Sequence, residues 1–262
     1  MTKLLILTTA TNRGDLHKHV FLGYKRFLTS KNVYDDGIKR IVWVVNIDRI
    51  DDFTTSVGFV QRRIEKIFSN RKIDFRWLIR PEGNFYKAVR TLFKQGVKII
   101  NDDIAKEEGE GEAGGVDVGR DWKVLYLEDD WWYRDCRHID FFTNMMKRER
   151  LDYLELRKCP TPLERYTYFA PSLWSSGHFF RVASRFLAEK PNRRQDPEQI
   201  CKRVLWKRGG EVQHVFIDIG RDWLRSHGLT KNNNKKLRGA RNMMYNPDTD
   251  RGKGAENDLK SQ

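Results

Sequence analysis

Four short apolar runs punctuate the first half of the chain: Leu4–Leu7, Ile41–Val45, Phe75–Ile79 and Val124–Leu127. Between them, large apolar residues recur at steps of three and four. Leu16, Val20, Tyr24 and Phe27 form one stripe, and Val60, Ile64, Ile67 and Phe68 a second. Phe85, Val89, Leu92, Phe93 and Val97 form a third. Steps of three and four gather each set on one helix face, whereas a short β-rich run suits a buried strand. The alternation predicts a strand–helix–strand–helix order, and so a parallel sheet with helical crossovers.

The second half is less regular. A short helix is predicted over Ile139–Met146, and strands over Tyr153–Leu156 and Val212–Ile217. Residues 157–172 carry Pro160, Pro162 and Pro171 and read as a long loop. Asp196-Pro197-Glu198 has the signature of a helix start: Asp suits the cap, Pro the first turn, and Glu the positive end of the dipole. Gly220–Arg225 reads as a final helix or turn. Two segments break the pattern. Residues 102–121 hold eight carboxylates against Lys106 and Arg120, with five glycines among them, and read as an acidic flexible loop. Residues 231–262 are polar and basic with few large apolar groups, and read as a solvated tail.

Composition narrows the class. The 262 residues suffice for one large domain with its own core. Eight Trp and fifteen Phe exclude a disordered chain. Three cysteines without CxxC spacing give no disulfide framework and suit a reducing compartment. No run approaches a membrane span or a signal peptide, so the expected setting is cytoplasmic. The net charge of +14 keeps an anionic partner in view.

In an open parallel sheet, ligands sit beyond the carboxyl ends of the strands. That directs attention to Thr8–Arg13, Asn46–Asp48, Arg80–Asn84 and Glu128–Asp130. The last set is the most informative: a buried run followed at once by three carboxylates. Carboxylates packed this closely raise one another's pKa. A hard divalent cation, Mn²⁺ or Mg²⁺, removes that cost through oxygen ligands. A solvated acidic turn is the competing reading of the same three residues. Trp131-Trp132-Tyr133 follows directly and offers either core packing or an aromatic floor for a sugar ring.

The order of these segments resembles the nucleotide-binding half of GT-A glycosyltransferases. Gly83-Asn-Phe-Tyr-Lys-Ala-Val89, Leu127-Glu-Asp-Asp-Trp131 and Ile219-Gly-Arg-Asp-Trp223 together resemble small glycosyltransferases of bacteriophages and large DNA viruses. Chlorella viruses, which glycosylate their own capsids, encode enzymes of this kind. The resemblance covers roughly residues 3–229. It implies a GT-A-like Rossmann-type α/β sheet flanked by helices, one domain over 1–230. Residues 1–135 would be its nucleotide-sugar-binding half and 136–230 its acceptor half. The implied activity is metal-dependent transfer of a sugar from a UDP- or GDP-linked donor to a glycan or glycoprotein. The implied place is the host cytoplasm.

Residue by residue, the resemblance makes Asp130 the metal ligand and sets Glu128 and Asp129 against the metal, ribose or donor sugar. Thr9, Thr11 and Arg13 fall on the first nucleotide loop, and Asp48 on the acidic position after the second strand. Asn84 and Lys87 fall beside the diphosphate, in a stretch that departs from the commoner Asn-x-Gly pattern. The general base of an inverting transfer falls on Asp196, with Glu198 as alternative. A late histidine completing the metal shell falls on His214, with His227 second. Trp174 and Gly177 fall on the acceptor-side loop.

Two other functions compete. A nucleic-acid-binding protein would use the positive charge, but the basic residues are dispersed and the acidic trio opposes phosphate. A metal-dependent nucleotidyltransferase would need carboxylates converging from separate elements.

Overall fold

The computed structural model describes residues 2–28, 38–49, 55–69, 72–80, 84–109, 121–157, 169–190, 197–201, 204 and 208–219. The four apolar runs become strands β1 (Thr2–Thr11), β2 (Ile38–Asp48), β3 (Ile73–Arg80) and β4 (Trp122–Glu128). They pair in parallel in the order β3-β2-β1-β4. The three stripes become helices α1 (Gly14–Leu28), α2 (Val57–Ile67) and α3 (Phe85–Gly109).

The later residues extend the same sheet. β5 (Trp131–Tyr133), α4 (Ile139–Arg148), β6 (Tyr153–Arg157), β7 (Ser172–Ser175), α5 (Ser176–Ala188), α6 (Pro197–Cys201) and β8 (Gly209–Asp218) follow in order. β7 runs antiparallel between β4 and β6, β8 lies parallel to β6, and β5 closes the far edge against β8. The result is one eight-stranded sheet, β3-β2-β1-β4-β7-β6-β8-β5. It is a mixed α/β fold with helices on both faces.

The two-residue period of the strands sorts the core. Leu4, Ile6, Trp43, Val45 and Leu125 face α1, α2 and α4. Leu5, Leu7, Val42, Val44 and Val124 face α3, α5 and α6. Both faces are covered, so these central strands are apolar throughout. Caps fix the helix starts: Ser56 Oγ accepts from Phe59 N at 3.2 Å, and Ser175 Oγ accepts from His178 N at 3.2 Å.

Several expectations need correction. The acidic segment 102–121 is not a loop throughout, because α3 runs on to Gly109. The apolar stripe continues through Val97, Ile100 and Ile104. Asp103, which reads as a loop carboxylate by composition, is held by Lys3 Nζ at 2.6 Å, Arg40 Nη1 at 2.6 Å and Trp122 Nε1 at 3.0 Å. Residues 110–120 of that segment lie outside the described residues. Trp174 belongs to no acceptor loop: it is fully buried on β7, its ring stacked at 12° on Tyr126. Gly177 lies in the first turn of α5, where a Cβ would meet nothing closer than Arg181 at 3.9 Å. Strands β5 and β7 and helix α5 also go unpredicted. The 231–262 tail, Gly220–Arg225 and His227 lie outside the described residues, as does most of the 157–172 loop.

Candidate functional site

The alternation that packs Leu5 and Leu7 against α3 continues past the core. It turns Thr9 of β1, Asn46 and Asp48 of β2, Arg80 of β3 and Glu128 of β4 to the same face of the sheet, while Thr11, at the end of β1, gives its hydroxyl to Asp129 Oδ2 at 3.0 Å. The pairing then aligns them in rows. Thr9 stands opposite Asn46 on one side and Glu128 on the other. Thr11 stands opposite Asp48, and Asp48 opposite Arg80. Neighbouring strands lie about 4.8 Å apart, so Glu128 and Asn46 bracket about 10 Å of polar floor. The floor is bounded by the amino end of α3.

Each side chain is held. Asn46 is fully buried and donates Nδ2–H to Asp48 Oδ1 at 3.0 Å; its own Oδ1 is buried with no hydrogen-bond partner among the described residues. Burial pushes the Asp48 carboxyl up to about 6. The amide of Asn46, the Arg80 guanidinium and the Asn84 N–H oppose that rise without cancelling it. Arg80 Nε is 3.7 Å from Asp48 Oδ1, and its Nη1 donates to Thr91 Oγ1 at 3.2 Å. Asn84 Oδ1 accepts from Lys87 N at 2.9 Å, which makes Asn84 the cap of α3. Lys87 is half-buried in the first turn of that helix. Thr9 Oγ1 lies 3.3 Å from the buried Tyr126 hydroxyl.

The three consecutive carboxylates have three different surroundings. Glu128 faces the polar floor and accepts from Trp131 Nε1 at 3.0 Å. Burial, and then the charge of Asp130, push its carboxyl well above the usual range; Glu198 and Asp129 add to the rise, and the indole N–H of Trp131 opposes it. Asp129 turns to the other face. Burial alone would raise it, but the Arg13 guanidinium, then His17 and the Thr11 N–H, hold it below the usual carboxylate range. Asp130 keeps 22% of its side chain exposed against 5% for Asp129, so Asp130 is the one left facing solvent at the edge.

The structure thus brings together Thr9, Thr11, Arg13, Asp48, Asn84, Lys87, Glu128, Asp129 and Asp130. It also shows that Arg13 and Asp129 are turned on each other, as a buried ion pair. It does not bring in His214. There β8 advances five residues while β6 advances two, and His214 sits in that bulge, exposed, at φ 61°. Histidine tolerates that left-handed backbone better than most residues. The level of Trp131 on β8 is Asp218, four residues and about 13 Å further along. Asp196 lies outside the described residues. Glu198, two residues on, is 2% exposed and contributes to the rise at Glu128, so α6 delivers a carboxylate to the same cluster.

Sequence reasoning placed Asn46 and Arg80 in the strand-end segments but gave neither a role. The Asn46-Ile-Asp48 spacing already placed Asn46 on the face of Asp48, two residues apart on a strand. Arg80 needed the β2–β3 register, which the chain does not spell out. His17 carried a weaker signal, one helical turn beyond Arg13.

The donor set is oxygen-only, which suits a hard divalent cation. Among the described residues no three His, Cys, Asp or Glu side chains are grouped closely enough to hold a metal by themselves. Among the described residues no helix is long and apolar enough to cross a membrane.

No family model matches the chain, and no curated protein matches it. Solved structures do. One is Staphylococcus aureus TarS 1–349 in complex with UDP, at 9% identity and TM-score 0.49, covering 80% of this chain and 58% of that one. Another is the mannosyltransferase PcManGT from Pyrobaculum calidifontis in complex with GDP-Man and Mn²⁺. It has 9% identity and TM-score 0.48, with 82% of this chain and 56% of that one covered. A third is the nucleoside-diphosphate-sugar pyrophosphorylase from Vibrio cholerae RC9, at 8% identity and TM-score 0.46, with 86% and 99% covered. The chain spans little more than half the length of the two transferases. At such identities the likeness concerns the course of the backbone alone.

Proposed function

We propose that this chain is a nucleotide-sugar-dependent glycosyltransferase, with the donor lying across the carboxyl edge of β1 to β4. The observation that carries the reading is the aligned polar floor: Asp48 and Thr11 in one row, Asn46, Thr9 and Glu128 in the next, with Asp130 half-buried at its end. Its span of about 10 Å suits a nucleoside laid along the strand ends.

Each residue then has a task. Asp48 and the amide oxygen of Asn46 accept N–H and O–H groups of the base and ribose, and Thr9 offers its hydroxyl to the same part, while Thr11 gives its own to Asp129. The amino end of α3, with Asn84 and Lys87, faces the diphosphate. A diphosphate beside Glu128 and Asp130 is repelled unless a cation intervenes. Asp130 would hold Mn²⁺ or Mg²⁺ together with the phosphates, and the metal supplies charge neutralisation for the leaving diphosphate. Arg13 and Asp129, turned inward, support the loop rather than touch the donor.

The transfer we propose is a single displacement with inversion. A carboxylate at the start of α6 takes the proton of the acceptor hydroxyl: Asp196 first, Glu198 as the alternative. The burial of Glu198 beside Glu128 supports that end of α6 as the acceptor side. The acceptor class is a glycan or glycoprotein, and viral capsid glycosylation is the setting the motif resemblance implies.

The deciding experiment is a donor-hydrolysis screen over UDP- and GDP-sugars with and without Mn²⁺. Release of a nucleoside diphosphate that requires the metal supports the reading. No release from any donor, with no metal-dependent binding of UDP or GDP in calorimetry, sinks it. A second reading has one observation in its favour. Glu198 brings a carboxylate to Glu128 from a separate element, as a nucleotidyltransferase requires. Pyrophosphate release from a nucleoside triphosphate and a sugar phosphate in the same screen would select that reading.

A further inference from the structure

Asp129 sits in the middle of the acidic trio, yet none of its bonds point to the floor. Its Oδ2 accepts from Thr11 N at 2.8 Å, from Thr11 Oγ1 at 3.0 Å and from His17 Nε2 at 2.9 Å. Its Oδ1 accepts from Arg13 Nη2. Arg13 Nε in turn donates to Thr11 Oγ1 at 2.8 Å, and the same guanidinium lies 3.7 Å from Asp130 Oδ2. His17 is fully buried, one turn into α1, its ring edge-on to Phe21. Because a carboxylate only accepts, the ring proton of His17 stands on Nε2.

A buried ion cluster of this kind is weak evidence for stability, since apolar residues of equal volume often do as well. What it supplies is a fixed arrangement. Here it joins by side chains three pieces that the backbone ties only through Asp129 N to Thr9 O and His17 N to Arg13 O, each at 3.2 Å: the end of β4, the Thr11–Arg13 turn and the first turn of α1. The Thr11 hydroxyl and the Asp130 carboxylate sit on the two sides of this join.

We propose that His17 is a positioning residue. Through Asp129 it locks the Thr11–Arg13 turn to the end of β4 and so sets Thr11 and Asp130 relative to one another. Asp129 is the anchor of this clamp, not a ligand of metal or donor. The inference deepens the proposed nucleotide site and rests on it, but the clamp itself is readable without any ligand.

The test compares His17→Leu, which removes the donor, with His17→Gln, which returns an N–H near the position of Nε2. Two quantities are read in the full chain: amide exchange at Thr11 by mass spectrometry, and Mn²⁺-dependent UDP and GDP affinity by calorimetry. His17→Leu should keep the circular dichroism of the wild type, speed exchange at Thr11 by about tenfold and weaken the metal-dependent affinity about tenfold. His17→Gln should restore both. If His17→Leu does not fold, Thr11→Val tests the clamp from the turn side, with faster exchange over the Thr11–Arg13 turn as the expected result. Unchanged exchange in the folded variant overturns the proposal, and so does a His17→Gln that fails to restore what His17→Leu loses. Asp129→Asn that abolishes metal binding while leaving Thr11 exchange untouched also overturns it, because Asp129 would then be a ligand. A wild type that binds no nucleotide with Mn²⁺ removes the nucleotide site, while the exchange measurement still decides the clamp.

Discussion

Asp48 and Arg80 stand directly opposite each other on neighbouring parallel strands, with Arg80 Nε 3.7 Å from Asp48 Oδ1. The gap is too long for a hydrogen bond. The carboxyl is therefore buried without a full ionic partner, which is why burial wins and its pKa rises to about 6. A folded-state value above the unfolded one means that stability is highest while the group is protonated and falls as pH rises from about 4 to 6. Two units correspond to up to about 3 kcal/mol. Asp48→Asn should remove that loss: its denaturation midpoint should exceed the wild type at pH 7 and match it near pH 4. The same variant should bind nucleotide less well, because an amide replaces an acceptor. Equal stability of the two proteins at pH 7 would show that the carboxyl is not strained.

Asp130→Asn should abolish most Mn²⁺-dependent affinity for UDP and GDP while leaving thermal unfolding within a few degrees of the wild type. Its buried neighbour Arg13, 3.7 Å away, keeps the closer pair with Asp129, so replacing the Asp130 carboxylate strands no buried charge. Calorimetry with and without Mn²⁺ decides this. Undiminished metal-dependent binding would remove Asp130 from the site.

The start of α6 separates base from cap. Asp196→Ala and Asp196→Asn should both lower transfer by roughly 10²–10⁴-fold with donor binding spared, if Asp196 takes the proton. If it only caps the helix, the Asn variant keeps turnover and the Ala variant loses about 1 kcal/mol of stability. In that case Glu198→Gln should give the large rate loss. Single-turnover assays beside donor-binding titrations read the difference. Loss of activity in none of the three would move the base elsewhere.

His178 offers a control remote from the chemistry. It is fully buried beneath Trp174 and Tyr153, and burial, reinforced by Arg181, lowers its pKa to about 4. Asp152 opposes the shift only in part. For a base with a lowered folded-state value, stability is intact above pH 6.5 and is lost as pH falls toward 4. The loss should be up to about 3 kcal/mol and absent in His178→Gln. It runs opposite to the Asp48 contribution over the same window, so the two variants should tilt the stability profile in opposite directions. Denaturant titrations at half-unit pH steps would show whether they do.

The chain announces the strands and helices that bury continuous apolar faces. β1 to β4 and α1 to α3 are legible because Leu4–Leu7 or Val124–Leu127 need no partner to identify them as core. β7 and α5 are not, because Ser172-Leu-Trp-Ser175 is too short to show a period. The site was half legible. Glu128 to Asp130 declared themselves as charge after a buried run, but one-residue alternation sends Glu128 and Asp129 to opposite faces, a fact of pleat rather than composition. Asn46 and Arg80 became site residues only through register. His214 read as a ligand because sequence spacing cannot show that β8 bulges there.

The single ladder has a kinematic consequence. β4 leads through Asp129 and Asp130 straight into β5, and β5 pairs with β8, which pairs with β6, which returns through β7 to β4. The backbone around the trio is therefore a circuit, made on one side by hydrogen-bonded strands and closed on the other by the covalent Asp129–Asp130 link between β4 and β5. Two lobes that clap shut need a seam crossed by few bonds. Among the described residues no such seam divides the floor from the strands beyond it, so the two flanks of the floor are coupled through the sheet. The distance between Asp130 and the strands that border the acceptor side is fixed at folding.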